Sequence, residues 1–259
     1  MNDAVIHLEN VCFSYNKAPV LKNISTKFSP NRITFIMGNN GSGKTTLLKN
    51  IMGFLSPQKG KISVDNTDTK TIDKITLSKI ISYVPQAIHL NTDFSVLDYL
   101  ALGRTPHMGL IAKMRNEDYT LIDRLSQKMG INDLFDSPFN DLSGGQKQLV
   151  AITRSLVQDT PIIILDEPMS ALDIGKQVNL LNILLSLSES GKTILLTTHN
   201  PNHALSIDSD SCFLSGGEIV ASGQSQSIID ETLLLKIYGD YVSLIHDGVK
   251  STVAFNVKI

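Results

Sequence analysis

The chain has 259 residues, 42% of them apolar, and a formal net charge of −2. That supports one large domain with a sizeable core and gives no electrostatic footprint for nucleic acid or an anionic membrane surface. Cys12 and Cys212 stand in unrelated contexts with no CxxC pair, which argues against a zinc site or a disulfide framework and fits a reducing interior. No apolar run approaches the length of a membrane span, and the N-terminus lacks a basic segment followed by an apolar one. The expectation is a cytoplasmic protein that needs a spanning partner to act at a membrane.

In chain order, residues 4–9 and 20–28 are rich in β-formers and read as antiparallel strands, with Lys17-Ala18-Pro19 at the turn. The apolar run Ile33 to Met37 reads as a strand, and Thr46 to Met52 as a helix. Ser56 to Gly60 reads as a turn, Lys61 to Val64 as a short strand, and Ile80 to Val84 as a strand ended by Pro85. Residues 87–140 change texture, with helical spacing in Val96 to Leu102 and again in Asp118 to Met129. Together with the helix Lys147 to Val157, this reads as a helical lobe inserted in an α/β core over about 87–158. The core resumes with strand 161–165, helix 174–189, strand 192–197, helix 201–207 and short strands at 210–214 and 218–221. The segment 240–259 reads as a short tail. Strands alternating with helices predict a mainly parallel sheet, so the fold class is α/β, with an N-terminal antiparallel β subdomain and the inserted lobe, all within a single domain over 1–259.

Between the strand 33–37 and its helix lies Gly38-Asn39-Asn40-Gly41-Ser42-Gly43-Lys44-Thr45, which fits the P-loop pattern G-x-x-x-x-G-K-[ST]. Its glycines let the backbone curl so that several N–H groups face one centre, and the helix N-terminus adds partial positive charge. Lys44 would then reach the β- and γ-phosphates of a nucleotide, and the Thr45 hydroxyl would ligate Mg²⁺, with Thr46 next in line. Ile162 to Leu165 is a buried-type strand that ends in Asp166-Glu167. Ligands bind at that edge of open α/β sheets, so Asp166 is a candidate Mg²⁺ holder and Glu167 a candidate base for water. Leu142-Ser143-Gly144-Gly145-Gln146 opens the helix 147–157, with Ser143 at the N-cap and exposed N–H groups behind it, a second start suited to an anion.

At these residues the chain resembles one family, the nucleotide-binding subunits of ABC transporters, for which LSGGQ is the signature. The resemblance runs from about residue 4 to at least residue 223. It implies that Tyr15 stacks on adenine, that Gln86 is the Q-loop glutamine, that Ser170-Ala171-Leu172-Asp173 is the D-loop and that His199 is the switch histidine. Taken singly, Tyr15 reads as a packed or surface aromatic, Gln86 as a turn residue, His199 as a structural histidine and Asp173 as a helix cap.

The resemblance further implies a head-to-tail homodimer with two ATP molecules, each held by one subunit's P-loop and the other's LSGGQ. Gln86, Glu167 and His199 would serve catalysis, and Thr45, Gln86 and Asp166 the metal. Membrane permease subunits, and through them a substrate-binding protein, are the implied partners, at the cytoplasmic face of the membrane and with no nucleic acid. The segments Ser95 to His107 and Thr197 to Leu205, together with the short tail after Tyr238, are similar to the subgroup serving importers of ferric siderophores, haem, cobalamin and molybdate. Two alternatives stay open from sequence: a soluble ABC ATPase of iron–sulfur cluster assembly, and the ATPase subunit of an exporter.

Overall fold

The computed structural model describes residues 6–88, 90, 93–108, 113–248 and 250–256. Positions 4 and 5 of the first expected strand, and 257–259 of the tail, lie outside them. The elements in chain order are β1 (Ile6–Tyr15), β2 (Ala18–Phe28), β3 (Ile33–Met37), α1 (Lys44–Ile51), β4 (Lys59–Val64), β5 (Thr67–Asp68), α2 (Lys74–Ile80), β6 (Ile81–Val84), α3 (Val96–Ala101), α4 (Asn116–Met129), α5 (Gly144–Val157), β7 (Ile162–Leu165) and α6 (Ile174–Glu189). They continue with β8 (Thr193–Thr197), α7 (Pro201–Leu205), β9 (Asp210–Ser215), β10 (Glu218–Gln224), α8 (Ser225–Ile228), α9 (Glu231–Tyr238), β11 (Val242–His246) and β12 (Ser251–Phe255). The chain divides into two compact units, one formed by residues 1–72 and 184–259, the other by residues 73–183.

The first unit carries the antiparallel sheet β2-β1-β4-β5 and the strands β10-β9-β3-β8. β3 pairs in parallel with both β8 and β9, and all five of its residues are buried. A strand hydrogen-bonded on both sides and covered on both faces is read from sequence as a near-continuous apolar run, and Ile33 to Met37 is one, broken only by Thr34. The β1–β2 turn falls at Asn16-Lys17 rather than Lys17-Ala18-Pro19, with Asn16 at φ 54°. Pro19 sits within β2, which is the edge of its sheet, so its missing N–H breaks no inner ladder. The segment read as a tail holds more structure than expected: β11 and β12 form an antiparallel hairpin with Val242 opposite Phe255 and His246 opposite Ser251.

The second unit pairs β6 with β7 in parallel and packs α5 against α3 and α4. α5 buries Leu149, Val150, Ile152, Leu156 and Val157. The Tyr99 ring of α3 packs on Phe139 at 4.5 Å between centroids, and the Arg154 guanidinium lies 5.2 Å over it. α2 was not expected from sequence; Asp73 caps it by accepting from the N–H groups of Ile75 and Thr76, and it buries only Leu77. The segment after α3 docks on the C-terminal end of α5. A Cβ on Gly103 would meet the Arg154 carbonyl oxygen at 2.6 Å, Arg104 donates to the Val157 carbonyl at 3.0 Å, and His107 Nε2 lies 2.7 Å from that of Gln158. Cations and donors there satisfy the helix's last carbonyls and its dipole.

Arg104 also donates through Nε to Asp118 Oδ1 at 2.7 Å, and both side chains are largely buried. The Asp118 carboxylate is held below the usual range, first by the backbone N–H of Arg115 and then by Arg104. A depressed carboxylate contributes stability that is complete above its unfolded value of about 3.9 and lost as pH falls through the lower folded value. Asp118→Asn is therefore expected to cost about 2 kcal/mol at neutral pH. Thermal melts of both proteins across acid pH should show the gap closing below the unfolded carboxylate value.

Candidate functional site

In the first unit, the loop after β3 folds back on itself under tight steric rules. Gly38 has φ 142°, and a Cβ there would lie 2.0 Å from the Leu214 carbonyl oxygen of β9. Gly43, at φ 106°, is the N-cap of α1, which starts at Lys44, two residues earlier than expected. Lys44 is buried, and its Nζ donates to the carbonyls of Gly38 at 2.8 Å and Asn39 at 3.1 Å. The ammonium is thus held inside the loop, beside the N–H groups at the start of α1. Ser42 is buried and its Oγ has no hydrogen-bond partner among the described residues. An orphaned buried hydroxyl costs about 1–3 kcal/mol, and a phosphate oxygen would satisfy it. Thr45 is half-buried and Thr46 buried in the first turn of α1, whereas Asn40 and Gly41 are exposed. Asn39 donates from Nδ2 to the Ile237 carbonyl of α9 at 2.7 Å. Tyr15 ends β1 with 45% of its surface exposed and makes a T-shaped ring contact with Phe13 at 5.0 Å between centroids.

Gly38→Ala should be disabling, because the new methyl group meets main chain of an inner strand rather than a side chain able to move. We expect a fall in melting temperature equivalent to about 3 kcal/mol, together with weakened nucleotide binding, measured by thermal melt and by titration with a fluorescent ATP analogue.

His199 follows β8 and is exposed, while the residues on either side of it are tied down. Thr198 N–H donates to the Ile36 carbonyl at 3.2 Å, Asn200 N–H donates to Thr198 Oγ1 at 3.1 Å, and Thr198 Oγ1 lies 3.0 Å from His203 Nδ1. Asn200 caps α7 by accepting from Asn202 N–H at 3.0 Å. Burial pushes the His203 imidazole down from its usual value, and His199 nearby adds to the effect, so His203 is neutral at physiological pH.

In the second unit, Asp166 N–H donates to the Val84 carbonyl at 2.9 Å, carrying the β6–β7 pairing one residue past the strand and setting Asp166 in the core at 1% exposure. Burial first, and then the Asp166 charge, push the neighbouring Tyr83 phenol up to about 12. Gln86 Nε2 donates to Glu167 Oε2 at 2.9 Å, so the structure brings together two residues that lie 81 positions apart. Glu167 has φ 50°, and it is the one residue other than Gly, Asn or Asp in the left-handed region among the described residues. That conformation costs about 1–3 kcal/mol. Ser170 offsets part of it by donating to the Glu167 carbonyl from both Oγ, at 3.0 Å, and N–H, at 3.3 Å. Nothing in the sequence signals this strain.

Ser143 caps α5 reciprocally: its Oγ accepts from Gln146 N–H at 3.3 Å and its own N–H donates to Gln146 Oε1 at 2.9 Å. Gly145 approaches the segment Ser170–Asp173, the expected D-loop, so closely that a Cβ would lie 2.9 Å from the Ala171 carbonyl oxygen, while Gly144 and Ser143 are exposed. Asp173 accepts from Lys176 N–H at 2.9 Å. Gln177 Nε2 donates to the carbonyls of Met169 and Leu172, which fixes the path of the chain through residues 169–172. Sequence reasoning passed over Gln177; its place one turn into α6 after a tight turn was the available signal.

A P-loop on a buried parallel strand, a helix starting at its lysine and a second strand ending in Asp-Glu define a P-loop nucleoside triphosphatase. Residues 21–170 match the profile of the ABC transporter family. The chain is 33% identical over 255 residues to the ferric enterobactin transport ATP-binding protein FepC of Escherichia coli, covering 97% of this chain and 94% of that one. It is 32% identical over 246 residues to the manganese transport system ATP-binding protein MntB of Bacillus subtilis, covering 94% and 96%. A solved metal-chelate type ABC transporter in an inward-facing conformation superposes with a TM-score of 0.84 at 27% identity, over 98% of both chains. An ATP-binding cassette of an ABC transporter in its ADP conformation gives 0.76 at 25% identity, over 91% and 98%. The chain belongs to the ABC transporter family, and its activity is ATP hydrolysis.

Proposed function

We propose that this chain drives a membrane importer for a ferric siderophore or a related metal chelate, with haem, cobalamin and molybdate as further candidates, and works as a head-to-tail homodimer on the cytoplasmic face of the membrane. The observation that carries the catalytic reading is the Gln86–Glu167 hydrogen bond at 2.9 Å, which links the proposed base to the proposed sensor of bound metal. In this reading Tyr15 stacks on adenine, and the N–H groups of residues 38–46 with Lys44 hold the phosphates. The partner subunit's signature, equivalent to Ser143, Gly144, Gly145 and Gln146 here, closes over the γ-phosphate beside the D-loop Asp173.

Glu167 accepts a proton from the attacking water, and His199 contacts the γ-phosphate and orients that water. With Nε2 turned to Glu167, Gln86 keeps its amide oxygen for a metal; the Asp166 carboxylate and, in the first unit, the Thr45 hydroxyl are the other proposed ligands. This all-oxygen set suits Mg²⁺, which takes few protein ligands plus phosphate oxygens. Bound there, Mg²⁺ would neutralise charge on the phosphates. Loss of the γ-phosphate removes the ligand of Ser143 and Gly145, and the dimer opens. A permease with its substrate-binding protein would receive that motion through the helical lobe at about 87–158. No helix among the described residues is long and apolar enough to cross a membrane, which suits a peripheral subunit.

The cargo reading rests on relatives named for ferric enterobactin, petrobactin and manganese transport. Uptake of radioactive iron as ferric siderophores, by cells carrying wild type or Glu167→Gln as the sole copy, tests it. Lost iron uptake in the mutant is expected. Unchanged iron uptake, or loss confined to manganese, would overturn the cargo.

A further inference from the structure

The C-terminal segment, α9 through β12, touches the first unit's nucleotide machinery at two places. Asn39 of the P-loop donates to the Ile237 carbonyl of α9 at 2.7 Å. Asn202 of α7, three residues after His199, clasps the backbone of Val253 in β12 with both halves of its amide: Nδ2 donates to the Val253 carbonyl at 3.0 Å, and Oδ1 accepts from the Val253 N–H at 2.8 Å. A paired amide clasp fixes orientation as well as distance. Between these contacts the segment is held in the unit: Leu233, Leu234, Ile237, Val242 and Val253 are buried, and β11 and β12 are paired over their whole length.

The clasp lies in line with His199. Asn202 N–H donates to Asn200 Oδ1 at 3.0 Å, and Asn200 N–H donates to Thr198 Oγ1 at 3.1 Å. His203, adjacent to Asn202, lies 3.0 Å from the same Thr198 hydroxyl through Nδ1. The exposed His199 side chain therefore stands on a loop whose direction is set by α7, and α7 is anchored by Val253. A free switch loop would rely on Thr198 alone for its register.

The geometry points to Asn202 as a positioning residue for His199, with the β11–β12 hairpin as the brace against which it works. This rests on the proposed role of His199 at the γ-phosphate. A catalytic group displaced by about 1 Å loses up to about 10²-fold in rate, and a loosened loop loses part of that. Asn202→Ala is expected to lower kcat for ATP hydrolysis about tenfold and to leave KM for ATP unchanged, because the hydrogen bonds of the Asn202 side chain go to Val253 and none to the P-loop among the described residues.

The test is a double-mutant cycle in the full-length protein, reading kcat and KM by phosphate release at a temperature well below the melts of all four forms. If Asn202 acts through His199, its substitution lowers kcat in the wild-type background and has no further effect in His199→Ala. An equal fall in both backgrounds, or no fall in the wild type, overturns the inference. Unchanged kcat in His199→Ala overturns the role of His199 itself, and the brace with it. Should Asn202→Ala fail to fold, Asn202→Asp carries the same cycle: it keeps the bond from the Val253 N–H and loses the one to its carbonyl.

Discussion

Glu167→Gln is expected to bind ATP, to dimerise around it and to hydrolyse it about 10²–10⁴-fold more slowly. The substitution keeps the shape and removes the basic oxygen. Gln86 Nε2 still finds an oxygen at the position of Glu167 Oε2, so the 2.9 Å hydrogen bond can persist and the binding geometry stays intact. The left-handed backbone at residue 167 makes the result sharper. Its strain is supported by Ser170 through the main-chain carbonyl, which the substitution leaves untouched. Phosphate release measured beside ATP-dependent size-exclusion chromatography separates chemistry from binding. Near-normal turnover would remove Glu167 from the role of base.

Lys44→Ala is expected to fail one step earlier, at nucleotide binding. Lys44 is buried and its Nζ is bonded to the carbonyls of Gly38 and Asn39, so its cation is already held inside the loop proposed to bind the polyphosphate. Truncating one partner of a buried charged contact costs about 2–5 kcal/mol, which is about 30-fold or more in Kd. The loop also loses its internal tie between residues 38, 39 and 44. Calorimetric titration with ATP should show the lost affinity. Unaltered Kd with lowered kcat would instead make Lys44 a group that acts only in the transition state. Lys44→Ala without binding, set against Glu167→Gln without turnover, tells the two roles apart.

The proposed brace at Asn202 bears on how such a subunit would keep the proposed switch loop around His199 in place. Around His199, the Thr198 N–H bonds Ile36 of β3, the Asn200 N–H bonds the Thr198 hydroxyl and the Asn202 amide bonds Val253 of β12, while the histidine itself is exposed. An exposed side chain on an over-determined backbone is the arrangement that preorganisation requires. The same logic holds at Glu167, where Gln86 and Ser170 determine both ends of the residue.

What the sequence determined by itself was local. Ile162 to Leu165, apolar throughout, and Ile33 to Met37, apolar but for Thr34, read as buried strands, and the glycines, lysine and threonine of 38–45 read as an anion loop from their spacing. The Ser143 cap was legible because it directly precedes a helical run, although its reciprocal partner Gln146, which a capping-box spacing offers, was not singled out as such. α2 was not, since it buries a single residue, Leu77, and shows no stripe. The β11–β12 hairpin was not, because its strands are short and only Val242 and Val253 are buried within it. The pairing of Gln86 with Glu167, of Asn39 with Ile237 and of Asn202 with Val253 was decided by tertiary structure alone. Each joins groups 51 to 198 positions apart. Side-chain type states what a residue can donate or accept; which partner it meets depends on how strands and helices far along the chain are brought to the same place. The left-handed turn at Glu167 belongs with them, because no intrinsic preference of glutamate favours it and only the surrounding contacts hold it there.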